Sequence, residues 1–489
     1  MKKSVVLLSL VALSSLVASC NGTSSGTTNS PIEIVFGTSF DNAKGDPRGS
    51  ALNTIISNFE TENPDIKVTN RFISAKYNEI QDNVIASFST ATFPDMVLCY
   101  ADHIANYIKE GYATNLDPLI KAIGLEDEAD YLDLEQGRQF TKEGTYMVPF
   151  NKSTEYMLYN KGVLEHLDLS KIDNTINNGR PLSTAYIESL SWEELFGKLC
   201  PALVAYNETL PADKKIIVTD NDTPEANGIL AYESDQNFMI TLLQQYGLPY
   251  LSIKNGEGSF DFNDQAVKDL VLKFNGYANK GYFSTKGSSN KYNSELMATN
   301  RALFEITSST GTSYFGSSSQ SNNTIKFGFA KVPTAEGKEH KVISQGTSIC
   351  LLTNNKQSTP LLKQKSEAAF KFYKFLTNKK NSVDWAINSG YEGIRKSVFT
   401  NEDYKKANDI TQFRNIYSAD YLVAKGHSFV EQLNGEYFTT PVFVGSSEAR
   451  NQMGGVMTKL SSSSKEQVTK TTIDAWFTEA MAKCQAAKN

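Results

Sequence analysis

The side chains able to do catalytic chemistry are scattered through this 489-residue chain. None of its four histidines, His103, His166, His340 and His427, shares a metal-ligand spacing such as HExxH with another. They read as surface or capping residues. No GxSxG nucleophile turn occurs, and no glycine-rich phosphate loop closed by Gly-Lys-Ser or Gly-Lys-Thr. Gly256-Glu257-Gly258 begins a GxG, but Asp261 stands where the third glycine belongs and no apolar strand precedes it, so it reads as a turn. Carboxylates are plentiful, yet nothing singles out a glycosidase pair. Cys99, Cys200, Cys350 and Cys484 lie about a hundred residues or more apart with no CxxC, which excludes zinc ribbons and thioredoxin-type motifs. Cys99 and Cys350 sit in the apolar runs MVLCY and SICLL and read as buried thiols, while a disulfide between distant partners stays open.

A hydrophobic share of 40% with 11% aromatics supports sizeable cores and excludes disorder for the bulk of the chain. The length fits roughly three average domains or two large lobes. A formal net charge of −6 without a basic block argues against nucleic-acid binding. At the N-terminus, Lys2 and Lys3 precede an apolar run from Val5 to Val17, broken only by serines, and then Val17-Ala18-Ser19 before Cys20. Charge, a short apolar core and small residues make an export signal. The run is short of the ~20 residues that span a bilayer, and no later stretch approaches that length. Small residues followed directly by cysteine resemble a bacterial lipoprotein box, which implies removal of residues 1–19 and diacylation of Cys20. The alternative is a plain secretory peptide in which Cys20 is incidental. Residues 20–31 include NGTSSGTTNSP, a flexible tether suited to holding a lipid-anchored domain off a membrane.

The elements that would position a site follow from periodicity. Ile32 to Phe36 reads as a strand, and Leu52, Ile55, Ile56 and Phe59 recur at helical spacing. Ile66-Lys67-Val68 is a short strand. Tyr77, Ile80, Val84, Ile85 and Phe88 mark a second helix, Met96 to Tyr100 a strand, and Ile104, Tyr107 and Ile108 a third helix. Such alternation predicts a mostly parallel sheet with helices on both faces, an α/β class. Later, Phe327 to Pro333 and Ser348 to Leu352 read as strands, and Ala368, Ala369, Phe372, Phe375 and Leu376 line a helix. Ile473, Trp476, Phe477, Ala480, Met481 and Cys484 form a terminal helical stripe that predicts docking on a core. Ser317 to Asn323 and Ser461 to Ser464 read as solvated loops.

Several segments together resemble the extracellular solute-binding proteins of bacterial ABC importers, in the family-1 group that includes the maltose- and glycerol-3-phosphate-binding proteins. They are Phe59 to Val68, Phe93 to Val97 with Tyr107 to Tyr112, Val148-Pro149-Phe150-Asn151-Lys152-Ser153-Thr154 running into Leu158 to Lys161, Trp192 to Leu195, Gly346 to Ile349, and Trp385 to Tyr391. Their order and spacing cover nearly the whole chain after the tether. The resemblance implies a two-lobe periplasmic-binding-protein-like fold, lobe 1 from 32–150 and 346–390, lobe 2 from 151–345 and 391–489, with ligand in the cleft between them. Crossings are expected near Pro149 to Ser153, near Gly346 and near Tyr391. It further implies a binding protein rather than an enzyme, without cofactor or metal, that works as a monomer with permease subunits on the extracytoplasmic face.

Within that group the chain is most similar to the glycerol-3-phosphate and glycerophosphodiester binders. The resemblance places ligand-binding roles on Tyr77, on Ser153 of the FNKST segment, on Ser308, on Gly346, on Tyr391 and on Arg450. The acidic position that holds glycerol hydroxyls falls on Ala101, with Asp102 beside it, and the paired tryptophans of the group are replaced by a stretch holding Glu233 and Gln236. The set is chemically coherent: Arg450 offers a fork to a phosphate, the tyrosines and Ser308 offer hydroxyls, and Gly346 admits a backbone N–H. Other roles stay open, with Tyr77 on the apolar stripe of its helix, Arg450 near Glu448, Ser153 and Gly346 as hinge geometry, and Tyr391 and Trp385 as core aromatics. A mono- or oligosaccharide is the second expected ligand. Only three tryptophans, Trp192, Trp385 and Trp476, are present to stack a sugar.

Overall fold

The computed structural model describes residues 30–41, 45–316, 324–433, 436–463 and 468–489. The expected signal, Cys20, nearly all of the tether and the Ser317–Asn323 loop lie outside them.

Two five-stranded sheets organise the chain. The first runs in the order Ile66–Phe72, Ile32–Thr38, Met96–Cys99, Ser348–Leu351, Val148–Pro149. Its first three strands are parallel, and Ser348–Leu351 returns antiparallel to both neighbours. Strand alternation sorts its side chains onto two faces. Met96 and Leu98 pack with Ile34, Phe36 and Ile349 under the helices Pro47–Glu62 and Pro360–Leu376. Val97, Cys99 and Cys350 pack on the opposite face with Ile80, Val84, Ile104 and Tyr107 from the helices Tyr77–Phe88 and Ala101–Glu110. Both helix starts on the first face place proline where no N–H partner is needed, after a capping residue: the Asp46 side chain accepts from Arg48 N and the Thr359 side chain from Leu362 N.

The second sheet runs Phe327–Ala330, Glu155–Asn160, Phe304–Ser308, Leu230–Tyr232, Phe283–Thr285. Glu155–Asn160 is antiparallel to both neighbours, and the remaining pairs are parallel. Both sheets are therefore mixed rather than mostly parallel. Trp192 is fully buried in this lobe and donates its indole N–H to Gln245 Oε1 at 2.7 Å. The terminal helix Lys470–Lys488 buries Ile473, Phe477, Ala480 and Cys484 and opens with a Thr469/Thr472 capping box.

Three further expectations are corrected. Ser461 and Ser462 belong to the last turn of the helix Ser446–Ser462 rather than to a loop, and Ser461 donates to the Met457 carbonyl. His103 and His427 are core residues, 1% and 2% exposed, rather than surface ones. The third crossing comes later than Tyr391. The helices Lys396–Thr400 and Glu402–Ala407 send Val398 and Tyr404 against Val383 and Ala386 of the helix Lys379–Ser389. Fully buried Arg395 pins this stretch to the first lobe by donating to the Thr377 and Glu126 carbonyls and pairing with Asp130 at 3.3 Å. Only at the helix Ala419–Val430 does the chain return to the second sheet, beside Tyr156 and Phe329. The four described cysteines are free and buried.

Candidate functional site

The first two crossing segments pair with each other and with the first-lobe stretch after Tyr391, and together they form the floor of a cleft. Ser153 and Gln345 exchange backbone hydrogen bonds of 3.0 and 2.8 Å, and Glu392 N donates to Lys152 O at 2.8 Å. Asn151 ties three of these pieces together, donating Nδ2 to Thr347 Oγ1 at 2.7 Å and accepting the Trp385 indole N–H at 3.0 Å. Trp385, packed on Phe150 at 4.7 Å between ring centroids, is thus a hinge core residue.

Above this floor lies a cavity of about 300 Å³, lined by six of the seven expected residues: Tyr77, Ser153, Ser308, Gly346, Tyr391 and Arg450. The seventh, Asp102, lines a smaller adjoining cavity of about 90 Å³, which shares Tyr100, Gln345, Gly346 and Arg450 with the first. The two spaces therefore flank Arg450. Part of the wall follows strand carboxyl ends, where open α/β sheets place ligands, whereas Ser153, Glu155, Gln345, Gly346 and Thr347 lie at the amino ends of antiparallel strands. Tyr77 opens one helix, Tyr100 caps another after the strand Met96–Cys99, Ser308 ends its strand, and Glu233 and Ser234 follow the strand Leu230–Tyr232.

On the first-lobe wall the Tyr77 and Tyr391 hydroxyls are 3.0 Å apart, Ser39 Oγ donates to the Tyr77 hydroxyl at 3.3 Å, and the Tyr77 and Tyr100 rings meet edge to face at 5.0 Å. Tyr77 thus packs and also presents a polar end. Arg48 enters the same wall, held by a two-bond fork to Asp46 at 2.9 and 2.8 Å. Across the cleft, Arg450 donates to Asn237 Oδ1 and stands 5.7 Å over the Tyr100 ring centre. It makes no ion pair among the described residues, and Glu448 instead accepts from Gln452 Nε2 at 2.7 Å. The helix carrying Arg450 lies close against the helix Asp235–Tyr246, because Gly454 has no Cβ where one would come within 2.6 Å of the Gln236 side chain.

The second-lobe wall holds a carboxylate that the sequence reading missed. Glu155, 1% exposed, accepts from Tyr232 Oη at 2.7 Å on Oε2, and from Asn237 Nδ2 at 2.7 Å and Gln345 Nε2 at 3.2 Å on Oε1. Burial pushes its carboxyl up to about 7, with the Glu233 charge adding to the rise, while the Asn237 and Tyr232 bonds and Arg450 oppose it. Glu233 accepts from Thr307 Oγ1 at 2.6 Å, and Ser308 Oγ bonds Thr310 Oγ1 at 3.0 Å. Glu155 stands directly after the FNKST segment and Tyr100 at the end of a strand, so the strand-end rule alone would have found Tyr100 and Glu233. Glu155 lies at the start of its strand and carried no such signal. His103, 3.8 Å from Asp102, is held below the usual histidine range by burial. No cluster of metal-ligating side chains occurs among the described residues.

The profile of a family described as bacterial extracellular solute-binding protein matches residues 54–412. The chain belongs to that family. Solved structures share this solute-binding protein's fold. UgpB from Mycobacterium tuberculosis in complex with glycerophosphocholine is 17% identical with a TM-score of 0.65, covering 94% of this chain and 98% of its own. The GacH receptor of Streptomyces glaucescens, solved unliganded and with acarbose, is 15% identical with a TM-score of 0.63 over 94% and 99%. Maltose-bound MalE3 of T. maritima is 16% identical with a TM-score of 0.63 over 92% and 99%. No curated protein sequence matches significantly. Solute-binding proteins capture small molecules outside the cytoplasm and deliver them to ABC permeases, and family and neighbours alike are binding proteins rather than enzymes. Among the described residues no helix is long and apolar enough to cross a membrane.

Proposed function

We propose that this solute-binding protein captures glycerol-3-phosphate or a glycerophosphodiester in the interlobe cleft, held at the cell membrane by a lipid on Cys20, and hands it to ABC permease subunits as a monomer. The observation that carries the reading is Arg450, a guanidinium without a carboxylate partner among the described residues, set between two cavities and faced by hydroxyls. An anion buried by lobe closure needs a cation and several donors. Arg450 supplies the fork, Tyr77, Tyr391 and Ser308 the hydroxyls, and the Gly346 backbone a close approach, with Ser153 on the floor. Asp102, in the adjoining cavity, would take the hydroxyls of the alcohol end. The likeness to glycerophosphocholine-bound UgpB supports this choice. The tyrosine-rich walls and the maltose- and acarbose-bound neighbours favour a carbohydrate as the second reading.

Calorimetry of the purified mature protein with glycerol-3-phosphate, glycerophosphocholine and maltose separates the two. Hydrogen bonds to charged groups contribute about 1.5–3 kcal/mol each. Arg450→Ala should therefore weaken a phosphate ligand about tenfold to several hundredfold, and Arg450→Lys should recover part of the loss, because a point charge cannot reproduce the fork. Binding of maltose alone, with Arg450→Ala nearly silent, would replace the phosphate reading with the sugar one.

A further inference from the structure

We propose that Glu155, acting through Asn237, is the positioning group for Arg450, and that it takes up a proton when an anion enters the cleft. The second half rests on the phosphate reading above. Asn237 is 1% exposed and uses both ends of its amide, Nδ2 toward Glu155 Oε1 and Oδ1 toward Arg450. The carboxylate therefore fixes which way the amide points, and the amide holds the guanidinium at the cleft wall. The arrangement links a buried acid to the cation that faces the ligand.

Both protonation states can be satisfied. As a carboxylate, Glu155 accepts from Tyr232, Asn237 and Gln345. As an acid, its Oε2–H donates to Tyr232 Oη, and the tyrosine proton turns to Thr241 Oγ1. Thr241 is fully buried beside that hydroxyl and otherwise has no hydrogen-bond partner. The Oε1 bonds to Asn237 and Gln345 persist, so Asn237 stays oriented.

The surrounding charges set the direction. Glu233, beyond the neighbouring strand, pushes Glu155 toward the acid, and Arg450 pulls it toward the carboxylate. Across the cleft, Arg48 is already neutralised by Asp46, and Tyr100 and Asp102 face Arg450 from the other side. Glu305, also fully buried on the adjacent strand Phe304–Ser308, is held well above the usual carboxyl range by burial and then by Glu233. Without ligand the Glu155 carboxyl titrates near 7. An anion on Arg450 cancels the cation's pull and adds its own negative charge, so the acid form gains. The complex then holds more protons than the free protein. Affinity rises as pH falls from the raised value in the complex toward 7 and levels off below it, while above the raised value this proton-linked gain is absent and the basal affinity remains.

The test uses glycerophosphocholine, whose phosphodiester keeps a constant charge across this range, on the full mature protein. Calorimetry at pH 6 and pH 8, in buffers of different ionisation enthalpy, should show tighter binding at pH 6 and net proton uptake. The change should reach up to about tenfold per unit by which binding moves the carboxyl. Glu155→Gln keeps an oxygen for Asn237 and Gln345 and should abolish both the pH dependence and the uptake. Separately, in ligand-free protein, the glutamate carboxyl resonance that disappears in Glu155→Gln should titrate near 7 and move upward in Arg450→Ala, a response that a carboxyl serving only to pack the core would not give. Equal affinity at pH 6 and 8 without proton uptake, or an unmoved titration in Arg450→Ala, overturns the coupling and leaves the phosphate reading standing. Failure of every phosphate compound to bind, with the Arg450→Ala titration shift present, supports the link between Glu155 and Arg450 and overturns the phosphate reading.

Discussion

At Gly346 the backbone φ is +109°, and a Cβ there would stand 2.2 Å from the Asn151 carbonyl oxygen. Both facts exclude any other residue without movement of the crossing segments. Gly346→Ala should therefore destabilise the protein by about 3 kcal/mol or more, read as a lowered urea midpoint. A change below about 0.5 kcal/mol, the range of ordinary surface substitutions, would show that the crossing yields freely. The residue-level picture of the cleft was legible only in part. Tyr77, Ser153, Ser308, Gly346, Tyr391 and Arg450 were reachable because they sit in recognisable segments, and the structure brings them to one cavity. Glu155 and Asn237 were not. A carboxylate among 54 acidic residues carries no mark in sequence, and its burial arises from strands and helices far apart in the chain.

Among the elements, the terminal helix was the most legible, because its apolar residues recur with helical period over the whole stripe. Phe477 is fully buried against the second lobe's core, whereas Trp476 is half-buried on the same helix, with Lys459 5.9 Å over its ring. Large-to-small substitution costs the transfer energy plus the cavity left behind. Phe477→Ala should lose about 3–5 kcal/mol in urea unfolding, and Trp476→Ala distinctly less despite its larger side chain. Equal losses would mean that the helix is seated differently. The elements that escaped the sequence were short or polar. The five- and six-residue helices after Arg395 are too brief for periodicity to show, so the sequence alone points to a crossing near Tyr391. The serines at 461 and 462 resemble a loop, but their hydroxyls bond back to helix carbonyls.

At the scale of the molecule, the two lobes meet at the mouth of the cleft as well as at the hinge. Asn78 Nδ2 donates to Asn451 Oδ1 at 2.8 Å, and Asn106 Nδ2 to Ser447 Oγ at 3.3 Å. These bonds are few, and three of their four residues are exposed or half-buried, so each contributes little in water. A ligand shifts the balance between open and closed forms only by binding one form better. Tyr77 and Tyr391 on one lobe and Arg450 and Ser308 on the other line the same cavity, so the proposed ligand would meet all four only in a closed form. Small-angle scattering of the mature protein should therefore show a radius of gyration that falls on saturation with glycerophosphocholine and converges on the dimensions of this structure. Arg450→Ala at the same ligand concentration should stay close to the free profile, because the contact from the second lobe is gone. A ligand-free profile that already matches this structure, unchanged at saturation, would show that the lobes do not close on the ligand, and the permease would then have to read something other than closure.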